Sequence, residues 1–198
     1  MKEMDFESSS RVNVSRQGRT IYFFSEVSDT SVMEAIKLLM QIQNECKKKP
    51  VIFVINSPGG SCYDGLALYD CLMACPCPIV TIGMGMVASM GFIIYLAGDR
   101  RLASVNTRFL NHQVSSEFGG KATDIKIQTI EINALEDAIV KLVSARTSIP
   151  ESQIKKDVKA GDKYYDTKSA LKKGIVHEII PYADKTVVKE TPAPEPKA

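Results

Sequence analysis

The sequence alternates uninterrupted apolar runs with amphipathic stretches, and this pattern constrains the fold more than any other feature. The apolar runs at 50–55 and 79–82 are predicted to be buried strands. A helix is predicted between them, from Tyr63 to Cys75, and an earlier helix is predicted to begin at a capping box of Ser31 and Glu34. Buried strands that alternate with helices are typical of parallel βαβ units, so the sequence predicts an α/β fold.

Two short motifs follow the predicted strands and indicate a site. The first is Asn56-Ser-Pro-Gly-Gly60, a turn that presents backbone N–H groups. The second is Gly85-Met-Val-Ala-Ser-Met-Gly91, which places Ser89 at the start of an apolar helix, where helix N–H groups favour negative charge. A serine beside such donors is what acyl transfer requires. Taken singly, each motif also fits a structural role, as a tight turn or as close helix packing.

The chain has only two histidines, so there are few candidates for a general base. His112 follows the strand-like run Arg108–Asn111 and is expected at a strand end facing a cleft. His177 lies inside the strand predicted over 174–180, where a histidine is more often structural. His112 is therefore the candidate base. Three aspartates crowd one later region and leave the orienting acid open at this point.

Four segments together resemble the ClpP family, the proteolytic subunits of ATP-dependent Clp proteases. In the order and spacing of that family they are Asn56-Ser-Pro-Gly-Gly60, Gly85-Met-Val-Ala-Ser-Met-Gly91, Asn111-His-Gln113 and Gly119-Gly-Lys-Ala-Thr-Asp-Ile125. The resemblance runs from about Gly18 to Ile180. It implies an α/β fold of the ClpP/crotonase type, with stacked ββα units and a protruding helix-strand handle. It also implies a serine endopeptidase that cleaves unfolded polypeptides or short peptides inside an oligomeric chamber.

The resemblance implies a role for each candidate residue. Ser89 corresponds to the nucleophile, His112 to the base, and Asp162, which precedes a basic and an aromatic residue, to the acid. The backbone N–H groups of Gly59 and Met90 correspond to the oxyanion hole. The chain order Ser, His, Asp differs from that of the α/β-hydrolase, chymotrypsin and subtilisin folds, while the chemistry is the same.

Local signals independently favour Asp162 as the acid. The capping box Ser148-Ile-Pro-Glu151 begins a predicted helix that ends before Gly161. Asp157 would then be a solvated residue inside this helix, and Asp166 would be the N-cap of the next helix. Asp162 lies on the loop between them, so it alone has no structural role.

A long helix is predicted from about Thr123 to Thr147. Its opening half carries Ile125, Ile127, Ile130 and Ile132, too many apolar residues on too many faces for a surface helix of a monomer. In the ClpP family this segment is the handle through which two seven-membered rings stack, so the resemblance implies stacked heptameric rings. The alternative is a helix that is buried within its own domain.

Composition and local signals set further limits. The 25 basic and 23 acidic residues give no electrostatic basis for binding nucleic acid. The apolar run from Phe92 to Gly98 is too short to span a bilayer, and the N-terminus lacks the apolar region of a signal peptide. We therefore expect a cytoplasmic protein of one domain, 18–182, with a flexible segment at 1–17 and a disordered, proline-rich tail at 183–198.

The five cysteines are expected to be reduced thiols. Their number is odd, and Cys75-Pro-Cys77 does not match a four-ligand zinc pattern. A cysteine nucleophile is disfavoured because no histidine follows any of them in a recognisable frame. No metal or other cofactor is expected in this chain, and ATP would act only through a partner unfoldase.

Three departures from the family pattern bear on partners. Val114 stands where a proline commonly follows the His-Gln pair, Ile52 and Val54 replace aromatic residues of a docking strand, and the segment before Gly18 does not resemble the axial loops. They leave the triad intact but argue against docking of a ClpX- or ClpA-like ATPase. A phage-type head maturation protease and a non-catalytic ring subunit are the alternative functions. Crotonase-like acyl-CoA chemistry is disfavoured because it uses no serine triad.

Overall fold

The strands and helices of the chain are seen in a computed structural model, which describes residues 13–183. In chain order they are β1 (Val14–Gln17), β2 (Thr20–Phe23), α1 (Asp29–Glu45), β3 (Val51–Ser57), α2 (Cys62–Met73), β4 (Ile79–Ala88), α3 (Met90–Leu96), β5 (Arg100–Ser104), β6 (Arg108–Asn111), α4 (Ala122–Arg146), α5 (Glu151–Ala160), β7 (Lys163–Tyr165), α6 (Thr167–Lys172) and β8 (Glu178–Ile180). No helix within 13–183 is long and apolar enough to cross a membrane.

The strands form one sheet whose main path has the order β1-β2-β3-β4-β5-β8. Every pair from β2 to β8 along this path is parallel, and helices connect these strands. The predicted parallel α/β architecture is therefore confirmed. The run of β3 is continuously apolar because both of its faces are covered: Val51, Phe53 and Ile55 are fully buried on one face, and Val54 is buried on the other.

Strand β4 positions the site because it changes partner half-way along. Its first half, from Val80 to Gly83, pairs with β5, and its second half, from Met86 to Ala88, pairs with β6. Gly85 lies between the two halves with a φ of 60°, which suits a residue without a Cβ. Strand β6 pairs in turn with β7, so the sheet divides at the carboxyl end of β4. Crevices at such points are where parallel sheets place ligands.

Two helices begin at other residues than predicted. The N-cap of α1 is Ser28, whose side chain accepts from the Ser31 N–H, while Ser31 Oγ accepts from the Ser28 N–H at 2.9 Å. The predicted box with Ser31 as N-cap is therefore wrong, because a serine at the third helical position closes an earlier box. Helix α5 has Pro150 as its N-cap without a side-chain bond, so the box expected at 148–151 does not form.

The N-terminal boundary also differs from the prediction. Val14–Gln17, which we expected in an irregular segment ending at residue 17, form β1 and pair with β2 in an antiparallel hairpin. Gly18 turns the chain between the strands with a φ of 58°. The strand exists because a neighbour pairs with it, although its own sequence has little apolar alternation. Residues 1–12 and the proline-rich tail from 184 lie outside the described residues.

Helix α4 is buried only in its second half. Ile139, Val140 and Val143 are buried, whereas every residue from 121 to 131 is exposed. Burial of the whole helix within its own domain is therefore the wrong alternative. In the described part of the chain, no strand forms between β6 and α4, so only the helical part of the predicted helix-strand handle is present. A strand there needs a neighbour that a single chain does not supply.

A glycine at the end of α3 allows close packing on β4. A Cβ added at Gly98 would lie 2.3 Å from Thr81 Oγ1, and that hydroxyl donates to the Tyr95 carbonyl. We expect Gly98→Ala to lower the free energy of unfolding by about 2 kcal/mol, because the buried threonine cannot move aside without cost. Urea unfolding measures the loss. At Gly119 an added Cβ meets nothing within 4 Å, so Gly119→Ala is the control. Equal losses in both variants would contradict the packing argument.

Candidate active site

Ser89 lies between the end of β4 and the start of α3 in an unfavourable backbone conformation. Its φ is 53° and its ψ is −126°. Within residues 13–183 it is the only residue other than glycine with a positive φ. Such a conformation costs on the order of 1–3 kcal/mol and is found mostly at functional positions. A strained serine between a strand and a helix is typical of nucleophile turns.

The pairing of β4 with β6 brings His112 next to Ser89. Ala88 is in register with Leu110, and the Ser89 N–H donates to the Leu110 carbonyl at 3.0 Å. His112 follows directly after β6, at a strand end as predicted, and is half-buried. Ser89 and His112 line the same cavity, whose volume is about 60 Å³. Among the described residues, no hydrogen bond joins their side chains.

Asp162 reaches this edge through the antiparallel pair β6 and β7. Asn111 is in register with Lys163, so the next pair along the register is His112 and Asp162. The side chain of Asp162 is exposed and does not line the cavity of Ser89. The register of these two strands thus places the backbone of Asp162, the predicted acid, opposite that of His112, the predicted base. In the range described, no hydrogen bond joins their side chains.

The other two aspartates have structural partners. Asp166 is the N-cap of α6, as predicted, and its carboxylate accepts from the Ser169 N–H at 2.6 Å, which lowers its pKa. Asp157 was expected to be solvated, and this is wrong because only 11% of its side chain is exposed. It accepts from Gln153 Nε2 at 2.6 Å, and Lys163 Nζ lies 4.0 Å away.

His177 precedes β8 and does not lie within it, so its predicted mid-strand position is wrong. Its Nδ1 accepts from the backbone N–H of Arg101 at 3.2 Å, and the backbone N–H of His177 donates to the Arg101 carbonyl. Burial is the main cause that lowers the pKa of His177, and the nearby charges of Arg101 and Arg146 lower it further. His177 lies outside the cavity of Ser89. Its contacts fit a structural role.

Gly59, the predicted oxyanion donor, is already engaged. Its N–H donates to Ser57 Oγ at 3.2 Å, and its carbonyl accepts from the Val27 N–H at 2.7 Å. A Cβ at this position would lie 2.4 Å from the Cβ of Ser89. The absence of a side chain at Gly59 therefore lets the turn approach Ser89 closely.

Gly60 is the glycine that lines the cavity of Ser89, together with Met90. Within the described range, the backbone N–H groups of Gly60 and Met90 have no hydrogen-bond partner. Met90 opens α3, where the first N–H groups of a helix lack internal partners. Gly59 and not Gly60 was predicted from the sequence, although the second glycine of the Pro-Gly-Gly turn was an equally available candidate.

A hydrogen bond joins the two motifs. Asn56 Oδ1 accepts from the Met86 N–H at 3.1 Å. The bond fixes the turn that carries Gly60 against the second half of β4, which carries Ser89. Asn56, the first residue of the Asn-Ser-Pro-Gly-Gly motif, thus holds that motif close to the one that contains Ser89.

A larger cavity of about 420 Å³ adjoins the cavity of Ser89 and was not predicted. It lies between the start of α2, the segment after β6 and the helix α4. The two cavities share the residues Gly60, Cys62, Val114 and Ser115. Tyr63 donates a hydrogen bond to Glu131 Oε1 at 3.0 Å along its wall, and this bond is the main cause that raises the pKa of Tyr63. Burial raises the pKa of the Cys62 thiol.

The chain matches a known protein family. The model of that family, described as Clp protease, matches residues 4–183. The chain belongs to the Clp protease family. The resemblance seen in the sequence is therefore confirmed.

Similar Clp proteins cover most of this chain. The ATP-dependent Clp protease proteolytic subunit of Deinococcus radiodurans is 30% identical over 164 residues, 82% of this chain and 80% of the relative. The corresponding subunit 1 of Leifsonia xyli subsp. xyli is 36% identical over 163 residues, 81% of this chain and 82% of the relative. These Clp relatives are proteolytic subunits by name.

A solved Clp structure shares the fold. A mutant of ClpP1 from Listeria monocytogenes has a TM-score of 0.77 and 28% sequence identity, and the match covers 84% of this chain and 93% of that one. The predicted ClpP-like α/β fold is therefore confirmed.

Proposed function

We propose that the chain is a serine endopeptidase with Ser89 as nucleophile, His112 as general base and Asp162 as orienting acid. One observation carries the proposal: the strained Ser89 shares a cavity with His112 and with the unpartnered N–H groups of Gly60 and Met90. A nucleophile, a base and two donors at one point are the parts that acyl transfer needs.

The proposed chemistry follows from these positions. Ser89 Oγ attacks the scissile carbonyl while His112 takes its proton, and His112 then returns that proton to the leaving amine. Asp162 holds the imidazole in the tautomer that can accept from serine. The oxyanion is stabilised by the N–H groups of Gly60 and Met90, and each donor of this kind is worth about 3 kcal/mol. Water then releases the acyl group by the same route.

The catalytic hydrogen bonds require a small rearrangement. His112 opens the segment before α4, which pairs with no strand in the range described. A substrate or a second copy that pairs with this segment would fix His112 between Ser89 and Asp162. Catalytic hydrogen bonds often tighten only in the complex with substrate.

We also propose the stacked-ring chamber that the family resemblance implies. Ile125, Ile127 and Ile130 are 38%, 61% and 69% exposed on the projecting half of α4. Apolar side chains this exposed on one projecting helix favour a contact with a second copy. Such a contact would also order the neighbouring segment that begins with His112.

Charged residues on this helix are expected to separate the assembly. The double variant Ile125→Asp, Ile130→Asp should shift native mass spectra from oligomer to smaller species and lower peptidase activity at least tenfold, because the apolar contact is lost. Lys126→Asp is the control, since it changes charge on the same helix without removing an apolar side chain. A fully active monomer before any substitution would show that no chamber exists.

Peptide hydrolysis itself needs no ATP, because no step of the proposed chemistry consumes it. The relatives are named ATP-dependent, which suggests a partner ATPase for them. In this chain Val54 is buried and the aliphatic side chain of Ile52 is partly buried, so neither position presents a fully exposed side chain for docking. We therefore propose cleavage of short peptides without such a partner.

The unpaired state of all five cysteines favours a reducing, cytoplasmic location.

A fluorophosphonate probe tests the proposed function. The unmodified protein should be labelled, and peptide mapping should place the adduct on Ser89, because only an activated serine reacts readily. Prior treatment with heat removes the folded site and serves as the control. An assembled protein that takes up no label would instead favour a non-catalytic ring subunit.

A further inference from the structure

The larger cavity beside the Ser89 cavity has a wall that is partly apolar and partly acidic. The chemistry of this wall limits which substrate side chains the cavity can accept. Its apolar part consists of half-buried side chains, Val114, Phe118, Ile132 and Leu135. Its charged part consists of two carboxylates, Glu117 and Glu131. In the part of the chain that the structure describes, neither this wall nor that of the Ser89 cavity contains a lysine or arginine.

The carboxylates lie away from the reacting serine. Glu117 and Glu131 line only the larger cavity, whereas Gly60, Cys62 and Val114 line both cavities. A side chain that enters from the scissile bond thus passes small and apolar residues before it meets the carboxylates. Only a long side chain can reach them.

Glu131 is held in place at the cavity wall. Tyr63 donates to its Oε1 at 3.0 Å, so the carboxylate is linked from α4 to the start of α2. A carboxylate accepts several hydrogen bonds, so the other oxygen remains for a ligand. A fixed carboxylate loses less conformational entropy on binding than a free one.

We propose that this cavity selects substrates with an arginine or lysine next to the scissile bond, an inference that rests on the proposed function. The aliphatic part of such a side chain packs on the apolar wall while the cationic end pairs with Glu131 and Glu117. An acidic side chain meets like charge, and a purely apolar one forms no ion pair with either carboxylate. Arginine is the better fit, because its planar fork matches carboxylate geometry.

Binding to an inactive variant tests this directly. Two fluorescent peptides differ only in the residue before the scissile bond, arginine in one and citrulline, its neutral isostere, in the other. We expect the arginine peptide to bind the Ser89→Ala protein about tenfold more tightly, because charge-assisted hydrogen bonds are replaced by neutral ones. Fluorescence anisotropy measures both dissociation constants. Equal affinities would overturn the proposal.

Second substitutions show which carboxylate is responsible. Added to Ser89→Ala, Glu131→Gln should bring the ratio of the two dissociation constants close to one. Glu136→Gln, on the same helix but away from the cavity, should leave the ratio at about tenfold. Tyr63→Phe should lower the ratio only in part, since the Glu131 carboxylate is still present but has lost the hydrogen bond that holds it. A ratio unchanged by Glu131→Gln would assign the selectivity elsewhere and refute the role of this cavity.

The active protein supplies an independent readout. The kcat/KM for the arginine peptide should exceed that for a leucine peptide, and this preference should fall as salt is raised, because exposed charges are screened. A preference for leucine at low salt would contradict the proposal. Failure of the proposed function is a different result, since it leaves Ser89 unlabelled by fluorophosphonate while binding to Ser89→Ala needs no catalysis.

Discussion

Replacement of Ser89 by alanine is expected to lower kcat by about a million-fold, to the level that binding and the oxyanion donors alone support. The loss should appear in peptide hydrolysis and in fluorophosphonate labelling together, because both depend on the same Oγ. Ser115→Ala is the matched control, since Ser115 lines the same cavity without the strained backbone. Residual labelling of the Ser89→Ala protein would assign the nucleophile to another residue.

The backbone of Ser89 separates loss of chemistry from loss of fold. Alanine retains a Cβ and therefore the strain at a φ of 53°, so Ser89→Ala should unfold at nearly the same temperature as the unmodified protein. Glycine removes the strain, so Ser89→Gly should be more stable by about 1 kcal/mol while equally inactive. Thermal unfolding of the three proteins measures this order. A Ser89→Gly protein less stable than Ser89→Ala would show that the conformation carries no strain.

Features with a local cause were predictable from the sequence. The apolar run at 50–55 became the buried strand β3, and Asp166 caps α6, because each depends on neighbours a few residues away. The start of an apolar helix directly after Ser89 was also readable from the chain alone. These signals were enough to place Ser89 and His112 at strand ends.

Features that depend on distant pairing were not predictable. Nothing local in β4 shows that it changes partner from β5 to β6, although that change brings His112 beside Ser89. Asp157 likewise lies near Lys163 of the next strand, a neighbour that its own helix does not reveal, so the helix alone predicted a solvated residue. Sequence spacing alone therefore misjudged its environment.

The proposed oxyanion donors also depend on contacts that the sequence does not show. Gly59 and Gly60 are adjacent and identical in type, so only three-dimensional contacts distinguish them. Ser57 Oγ accepts from the first glycine, and the cavity of Ser89 is lined by the second. The larger cavity was missed for a related reason, since its wall combines α2, α4 and the segment after β6.

Asp162 is the proposed orienting acid, and its side chain is exposed and makes no hydrogen bond to His112 in the described range. Asp162→Asn is expected to lower kcat by about ten-thousand-fold, since an amide would hold the imidazole in the tautomer that cannot accept from Ser89. The fold should be unaffected at an exposed loop position. Steady-state hydrolysis and thermal unfolding measure the two effects separately.

The neighbouring aspartates provide controls with opposite expectations. Asp166→Asn should leave both kcat and stability nearly unchanged, because asparagine caps helices about as well as aspartate. Asp157→Asn should lower stability by about 1 kcal/mol with a small effect on kcat, because it weakens the contacts with Gln153 and Lys163. Of the three aspartates, only Asp162 comes opposite His112 when the register of β6 and β7 is continued by one pair, so only its loss should act on chemistry without acting on the fold. A normal kcat in Asp162→Asn, with a collapse of kcat in stable Asp157→Asn, would transfer the role of orienting acid to Asp157.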